Sequence, residues 1–237
     1  DTILGPGGRF AGWPRDKVIV VIVDADGRLD PSSPAFVAPH FADPRVGGVQ
    51  AEVRIYNRAH PLPWFQNVEF GVFGRLYQQG RTLWGTAGMG GNGQFNRLSA
   101  LDTVVGDWFG PWRDTLTEDQ DLGLRLIGVG WRGAQETRCS VDQQGVSSLR
   151  RLYRQRTRWA QGNLQALSHT GAIARADLPA VAKADLLFAL ILPLLQMVVG
   201  TSTMVAILLA VSGVPLVPEG TSGWLLLVLA LSLASNP

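Results

Sequence analysis

Hydrophobic and polar positions divide this chain into segments of distinct rhythm. Val18 to Val23 is six β-branched residues in a row, with no polar partner to mark an outer face. That pattern predicts a strand covered on both sides, as in the centre of a parallel sheet packed between helices. Val49, Ala51, Val53 and Ile55 alternate with Gln50, Glu52 and Arg54, the rhythm of a half-buried strand over Val46 to Tyr56. Trp64, Val68, Val72 and Leu76, with Phe65 and Phe73 beside them, give a helix from Pro61 to Gln79. Its aromatic stripe is expected to pack on the core, with a place at a membrane interface as the alternative. Leu122, Leu126 and Val129 mark the buried face of a further helix. From Leu186 the chain is almost wholly apolar: 186–210 is long enough to span a bilayer, and a second span begins at about 223.

Turns and caps join these segments. Residues 1–17 are rich in Gly and Pro and read as a loop, and Asp30-Pro31 and Ser33-Pro34 set up a short helix reaching Phe41. Thr117 followed by Gln120 has the spacing of a capping box, so a helix should start there, with Glu118, Asp119 and Asp121 as first-turn acids.

Composition changes the picture in two places. The formal charge of +2 hides a split, because no Lys or Arg follows Lys183. Positive charge before a span and none after it predicts that the Asp24 side is cytosolic. The single cysteine, Cys139, excludes an internal disulfide and fits a reducing compartment. A chain that starts at Asp1 and stops at Pro237 within an apolar run is expected to be a piece of a longer protein.

Candidate chemistry sits at three places. Asp24 and Asp26 close the β-branched run, where open α/β sheets bind their ligands. Two carboxylates there suit a hexacoordinate Mg²⁺ or Mn²⁺ that also holds a diphosphate, although Asp-Ala-Asp-Gly taken alone reads better as a bare turn. The acids at 118–121 are the second place. Arg150 to Gln161 clusters arginines around Gln155 and Trp159 and could meet anionic lipid or nucleic acid. Nucleic acid is disfavoured, because aromatics are not interleaved with basic residues elsewhere and an apolar span follows. Gly88, Gly90 and Gly93 spell G-x-G-x-x-G, but the run follows no long strand, so a dinucleotide site is set aside. Its bare backbone suits close approach of a sugar or an acceptor.

Taken in order, Asp24-Ala-Asp26, Leu116-Thr117-Glu118-Asp119-x-Asp121-Leu122 and Gln155-Arg156-Thr157-Arg158-Trp159 make the chain resemble the processive family-2 glycosyltransferases, the group of cellulose, chitin and hyaluronan synthases. The resemblance implies an α/β fold, a partial glycosyltransferase A-type (Rossmann-like) mixed-sheet domain followed by transmembrane helices. The expected division is a cytosolic domain over 1–165, a linker over 166–185 and a membrane region over 186–237, in a multi-pass protein of the plasma membrane. It implies transfer of a sugar from a nucleotide-diphosphate sugar, a UDP-sugar being expected, to a hydroxyl of a glycan or glycolipid acceptor. Asp24 and Asp26 would hold Mg²⁺ or Mn²⁺ and the donor, with Gln155 and Arg158 on the diphosphate. Asp119 would be the general base, and Trp159 and Glu118 would lie on the acceptor side. The glycine-rich 88–97 segment departs from the cellulose-synthase pattern and leaves the acceptor open. Rival readings are a membrane-anchored nucleotide-sugar binder without transfer activity, which would not need Asp119, and a transporter fragment, which would need more polar residues in its spans than Gln196.

Overall fold

In a computed structural model of the chain, residues 7–106 and 110–213 are described. The helical and extended elements run in chain order as follows. Strand β1 is Ile19–Ile22, β2 is Arg28–Leu29 and helix α1 is Ser33–Val37. Strand β3 (Val46–Ile55) leads to helix α2 (Pro61–Val72), a π-helical turn (Phe73–Gln78) and helix α3 (Gln79–Thr82). Strand β4 (Gln94–Arg97), helix α4 (Leu98–Asp102), helix α5 (Glu118–Gly128) and strand β5 (Arg132–Gln143) come next. Helices α6 (Leu149–Ala166), α7 (Thr170–Arg175) and α8 (Ala180–Val211) complete the described chain. The second expected span, from about 223, lies outside the described residues.

Five strands form one mixed sheet in the order β1-β4-β3-β5-β2. β3 lies at its centre, antiparallel to β4 and parallel to β5. The β-branched run corrects the first expectation: β1 pairs only with β4, and antiparallel, so among the described residues it is an edge strand. Val21 and Val23 are each 39% exposed. Six β-branched residues specify an extended backbone, but how many neighbours cover it is decided by other segments.

The alternating strand is corrected in the other direction. All of β3 except Val53 and Arg54 is buried, including Gln50 and Glu52. Its polar face meets protein: Glu52, 2% exposed, accepts from Arg54 at 2.8 Å and from Arg75 at 2.6 Å. Alternation marks two faces of unlike chemistry, and here buried ion pairs rather than water satisfy the polar one.

One side of the core gathers Val37, Val46, Val49, Ala51, Phe95, Ala134 and Cys139. A second cluster packs Leu98, Leu101, Leu122 and Leu126 together. Leu122 and Leu126 are buried as expected, but Val129 at the C-cap of α5 is 57% exposed. Arg97, 4% exposed, donates to the carbonyls of Asp16, Phe41, Asp43 and Val46 and so ties the end of β4 to the segments before β1 and before β3 and to the start of β3 itself.

The helical run at 61–82 reverses the core-packing expectation. Phe65 is 63% exposed and Leu76 69%, whereas Gln66, Gln78 and Arg81 are buried. The chain divides into two compact units, one through Leu187 and the other from Phe188. Within α8, Ala180–Leu209 is long and apolar enough to cross a membrane, and 6% of its most apolar window is buried.

Candidate functional site

The carboxylates at 24 and 26 sit on a turn just past the end of β1, held by the chain itself. Gly27 N–H donates to the Asp24 carbonyl at 2.8 Å, so Asp-Ala-Asp-Gly is a turn as well as a candidate site. Asp24 N–H donates to Asn92 Oδ1 at 3.1 Å, which fixes the turn against the glycine loop. Both carboxylates stay exposed.

The glycine loop is itself gripped from two sides. Gly88 N–H donates to Gln78 Oε1 at 2.8 Å, and Gly90 N–H donates to Gln50 Oε1 at 2.9 Å. Gln50 Nε2 returns a bond to the Asn92 carbonyl at 2.7 Å, and Asn92 Nδ2 reaches Gln143 Oε1 at 2.9 Å. Asn92, 2% exposed, therefore links the turn after β1 to the end of β5. Gly91 has φ +78°, and a Cβ there would stand 3.1 Å from Asp119 Oδ2. The bare backbone at 91 lets the loop close over that carboxylate.

Asp119 lies in the first turn of α5, which begins at Glu118. The expected capping box does not form. Thr117 Oγ1 donates to Gln120 Oε1 at 3.2 Å instead of accepting a backbone N–H, and Asp119 Oδ1 accepts Gln120 N–H at 2.8 Å. Burial pushes the Asp119 carboxyl up to about 6, with Glu118 and Asp24 adding to the rise and the Gln120 N–H opposing it. A helix N-terminus favours an ionised carboxylate, and desolvation outweighs that effect here. Asp24 is exposed as a residue, but partial desolvation of its carboxyl raises it, as do the charges of Asp26 and Glu118, while Arg158 pulls it down. These mutual effects place Asp24, Asp26, Glu118, Asp119 and Arg158, drawn from three separate motifs, in one electrostatic neighbourhood.

Gln155 and Trp159 share α6 with Arg158. Gln155 Oε1 is buried without a hydrogen-bond partner. Trp159 lies 6.2 Å from Phe70, and the Arg156 guanidinium sits 4.6 Å over its ring. Arg156 also donates to Glu69 at 2.6 Å, so Trp159 helps to seat α6 on α2. Behind the site, Asp121 accepts from Arg125 at 2.7 Å and bonds His169 at 2.8 Å, which ties α5 to the turn after α6.

Asp24 and Asp26, with Glu118 near, carry more negative charge than Arg158 can offset. A hard divalent cation relieves that excess, and the carboxylate oxygens at 24 and 26 are the right donors for it. Among the described residues no group of three or more His, Cys, Asp or Glu could hold a metal ion. A cation here would therefore take further oxygens from a bound diphosphate and from water, and the residues fit that arrangement.

Sequence reasoning missed Asn92, Gln50, Gln78 and Gln143. Gln50 was visible as a polar position in the alternating strand, and Asn92 as the polar residue of the glycine loop, but nothing local says that they meet.

Comparison with known proteins now places the chain. The sequence model described as "Glycosyl transferase family group 2" matches residues 19–235. The chain is 34% identical over 150 residues to a beta-monoglucosyldiacylglycerol synthase of Synechocystis sp., a match covering 62% of this chain and 30% of that protein. It is 29% identical over 151 residues to a poly-beta-1,6-N-acetyl-D-glucosamine synthase of Staphylococcus aureus, covering 62% of this chain and 35% of that one. These matches span about a third of the length of the curated relatives. Among solved structures, a mannosyltransferase from Pyrobaculum calidifontis in complex with GDP-Man and Mn²⁺ shares the fold, with a TM-score of 0.58 and 17% identity, covering 92% of this chain and 56% of that one.

Proposed function

The chain belongs to glycosyl transferase family group 2, and from that premise we propose that it carries the catalytic part of a membrane-bound inverting transferase. This enzyme moves a sugar from a nucleotide-diphosphate donor to a hydroxyl of a glycolipid or glycan. The observation that carries the reading is that Asp119, raised to about 6, lies within reach of the Asp24 charge, and Asp24 in turn within reach of Arg158. A binding protein without transfer activity has no use for a partly desolvated carboxylate beside its diphosphate site.

Asp24 and Asp26 would hold a divalent cation, which supplies charge neutralisation for the leaving nucleoside diphosphate. Arg158 approaches the same oxygens with a guanidinium fork suited to phosphate, and Gln155 lies one helical turn earlier on α6. Asp119 accepts the proton of the acceptor hydroxyl as that oxygen attacks the anomeric carbon. A base with a pKa near 6 is a stronger proton acceptor than an ordinary carboxylate and is still ionised at neutral pH. With Asp119 as the base, the transfer runs as a single inverting displacement. Glu118 shapes the loop beside the acceptor, and Trp159 offers it the ring face opposite Arg156.

The relatives support both acceptor classes, since one is named a glucosyldiacylglycerol synthase and the other a poly-N-acetylglucosamine synthase. The apolar helix at 180–209 supports a bilayer as partner, with the Asp24 side cytosolic. The solved relative's Mn²⁺ and nucleotide support a metal-dependent donor site. The test is radiolabelled transfer in membranes containing the full-length protein, run against a panel of nucleotide sugars with and without chelator. One donor should be used, and chelation should stop it. Turnover of none, with nucleotide still bound tightly, would favour a binding protein.

A further inference from the structure

The helical run from Pro61 to Thr82 and the two residues after it are built the wrong way round for a soluble domain. Its inward side holds Gln66, Gln78 and Arg81, all buried. Its outward side carries Trp64, Phe65, Val72, Leu76, Leu83 and Trp84, with Leu76 at 69% and Leu83 at 79% exposure. The aromatics are paired among themselves rather than tucked inward: Trp64 and Phe65 meet edge to face at 5.1 Å, and Phe73 stacks on Tyr77 at 6.4 Å. A continuous exposed apolar stripe of this length marks a surface meant to be covered.

The contacts of this run with the rest of the chain bear on what covers it. Arg81 donates to Asp185 at 2.6 Å, and Asp185 is the last charged residue before the apolar stretch of α8 begins. The end of the stripe is therefore pinned to the place where the chain would enter a bilayer. Helix α6 lies along the same run, joined by Arg156–Glu69 at 2.6 Å and by Trp159 against Phe70. Its exposed residues include Arg150, Arg151, Arg154 and Tyr153. Arginine beside Trp and Tyr is the chemistry of an anionic headgroup layer, where aromatic rings sit at the boundary and guanidinium groups meet phosphate.

We propose that the outward face of residues 61–84 lies in the headgroup region of an anionic bilayer and holds the site-bearing unit flat on that surface. This rests on the reading of α8 as a membrane span. The face would place a site that takes a glycolipid hydroxyl beside the layer in which such acceptors reside.

The experiment uses the full chain in phosphatidylglycerol-containing proteoliposomes. Leu76→Cys, Val198→Cys and Lys17→Cys are each labelled with an environment-sensitive fluorophore. Cys139, 1% exposed and with its thiol pushed up by burial, stays unlabelled. Nitroxide carried on shallow acyl carbons and iodide in water serve as quenchers. The expected result is several-fold stronger lipid than iodide quenching at 76 and 198, and the reverse at 17. Replacing phosphatidylglycerol by phosphatidylcholine should weaken lipid quenching at 76 and leave 198 unchanged. Iodide access at 76 with 198 in lipid overturns the docking and leaves the span standing. Iodide access at both overturns the two together. Shielding of 76 from both quenchers means that a second copy or another protein covers the face, and the proposal falls.

Discussion

Replacing Asp119 by Asn should abolish sugar transfer and make the protein more stable, and both effects follow from one cause. The folded carboxyl titrates near 6 against an ordinary value of 3.8, chiefly because it is buried. A raised folded pKa contributes stability that is fully present below the unfolded value and is lost as pH climbs through the folded one. About 1.4 kcal/mol per pH unit over that interval is ~3 kcal/mol, paid above pH 6 to keep an ionised carboxylate in a partly dry place. An amide keeps the shape and the Oδ1 acceptor for Gln120 N–H but carries no charge. The variant should therefore match the parent near pH 4 and exceed it by ~3 kcal/mol at pH 8, a rise in Tm of about 6–12 °C for a unit of this size. Transfer should fall by about 10² to 10⁴, with nucleoside-diphosphate affinity retained. The assays are thermal unfolding of the full-length protein in detergent at both pH values without metal, and radiolabelled transfer beside nucleotide titration. Transfer near the parent rate would place the base elsewhere. Transfer lost without a pH-dependent gain in Tm would refute burial as the source of the raised pKa.

Three further outcomes follow from the site's geometry. Glu118→Gln removes a charge that raises Asp119, so the acid limb of the kcat/KM profile, expected near pH 6, should move to lower pH. Asn92→Ala deprives the Asp24 N–H and Gln143 of their partner. Each lost bond is worth about 0.5–1.5 kcal/mol, so isothermal titration with Mn²⁺ should find nucleoside diphosphate bound ~10-fold more weakly. Gly91→Ala puts a side chain at φ +78°, 3.1 Å from Asp119 Oδ2. The backbone strain alone costs about 1–2 kcal/mol, and steady-state kinetics should show kcat falling more than donor affinity.

How far the sequence could be read depended on how local each cause is. The start of α5 at Glu118 and the span of β3 were legible, because first-turn acids and alternation act within a few residues, although the capping box that also pointed to Thr117 does not form. The position of β1 was not, since coverage of a strand is set by segments distant in sequence. The stripe at 61–84 had the right period but no sign to tell core from bilayer, because both are apolar solvents for a side chain. Asp24, Asp26, Asp119 and Arg158 could be named from motif order, while their convergence depends on Gln50, Gln78 and Asn92, whose bonds span 10 to 68 residues.

The central strand also dictates an order of assembly. β3 can pair with β4 only after the helical run and glycine loop between Ile55 and Gln94 are made, and its other edge must wait longer still, for β5, which begins at Arg132. Parallel pairing over so long a separation is slow to nucleate, because the intervening chain loses its freedom before any ladder bond rewards it. During synthesis the half-built sheet has an open edge at β3. Gln143, the last residue of β5, is also the anchor that Asn92 uses while holding the Asp24 turn. The Asp24 turn is therefore fastened through Asn92 to the strand that pairs last, so its hold is complete only when the sheet is closed.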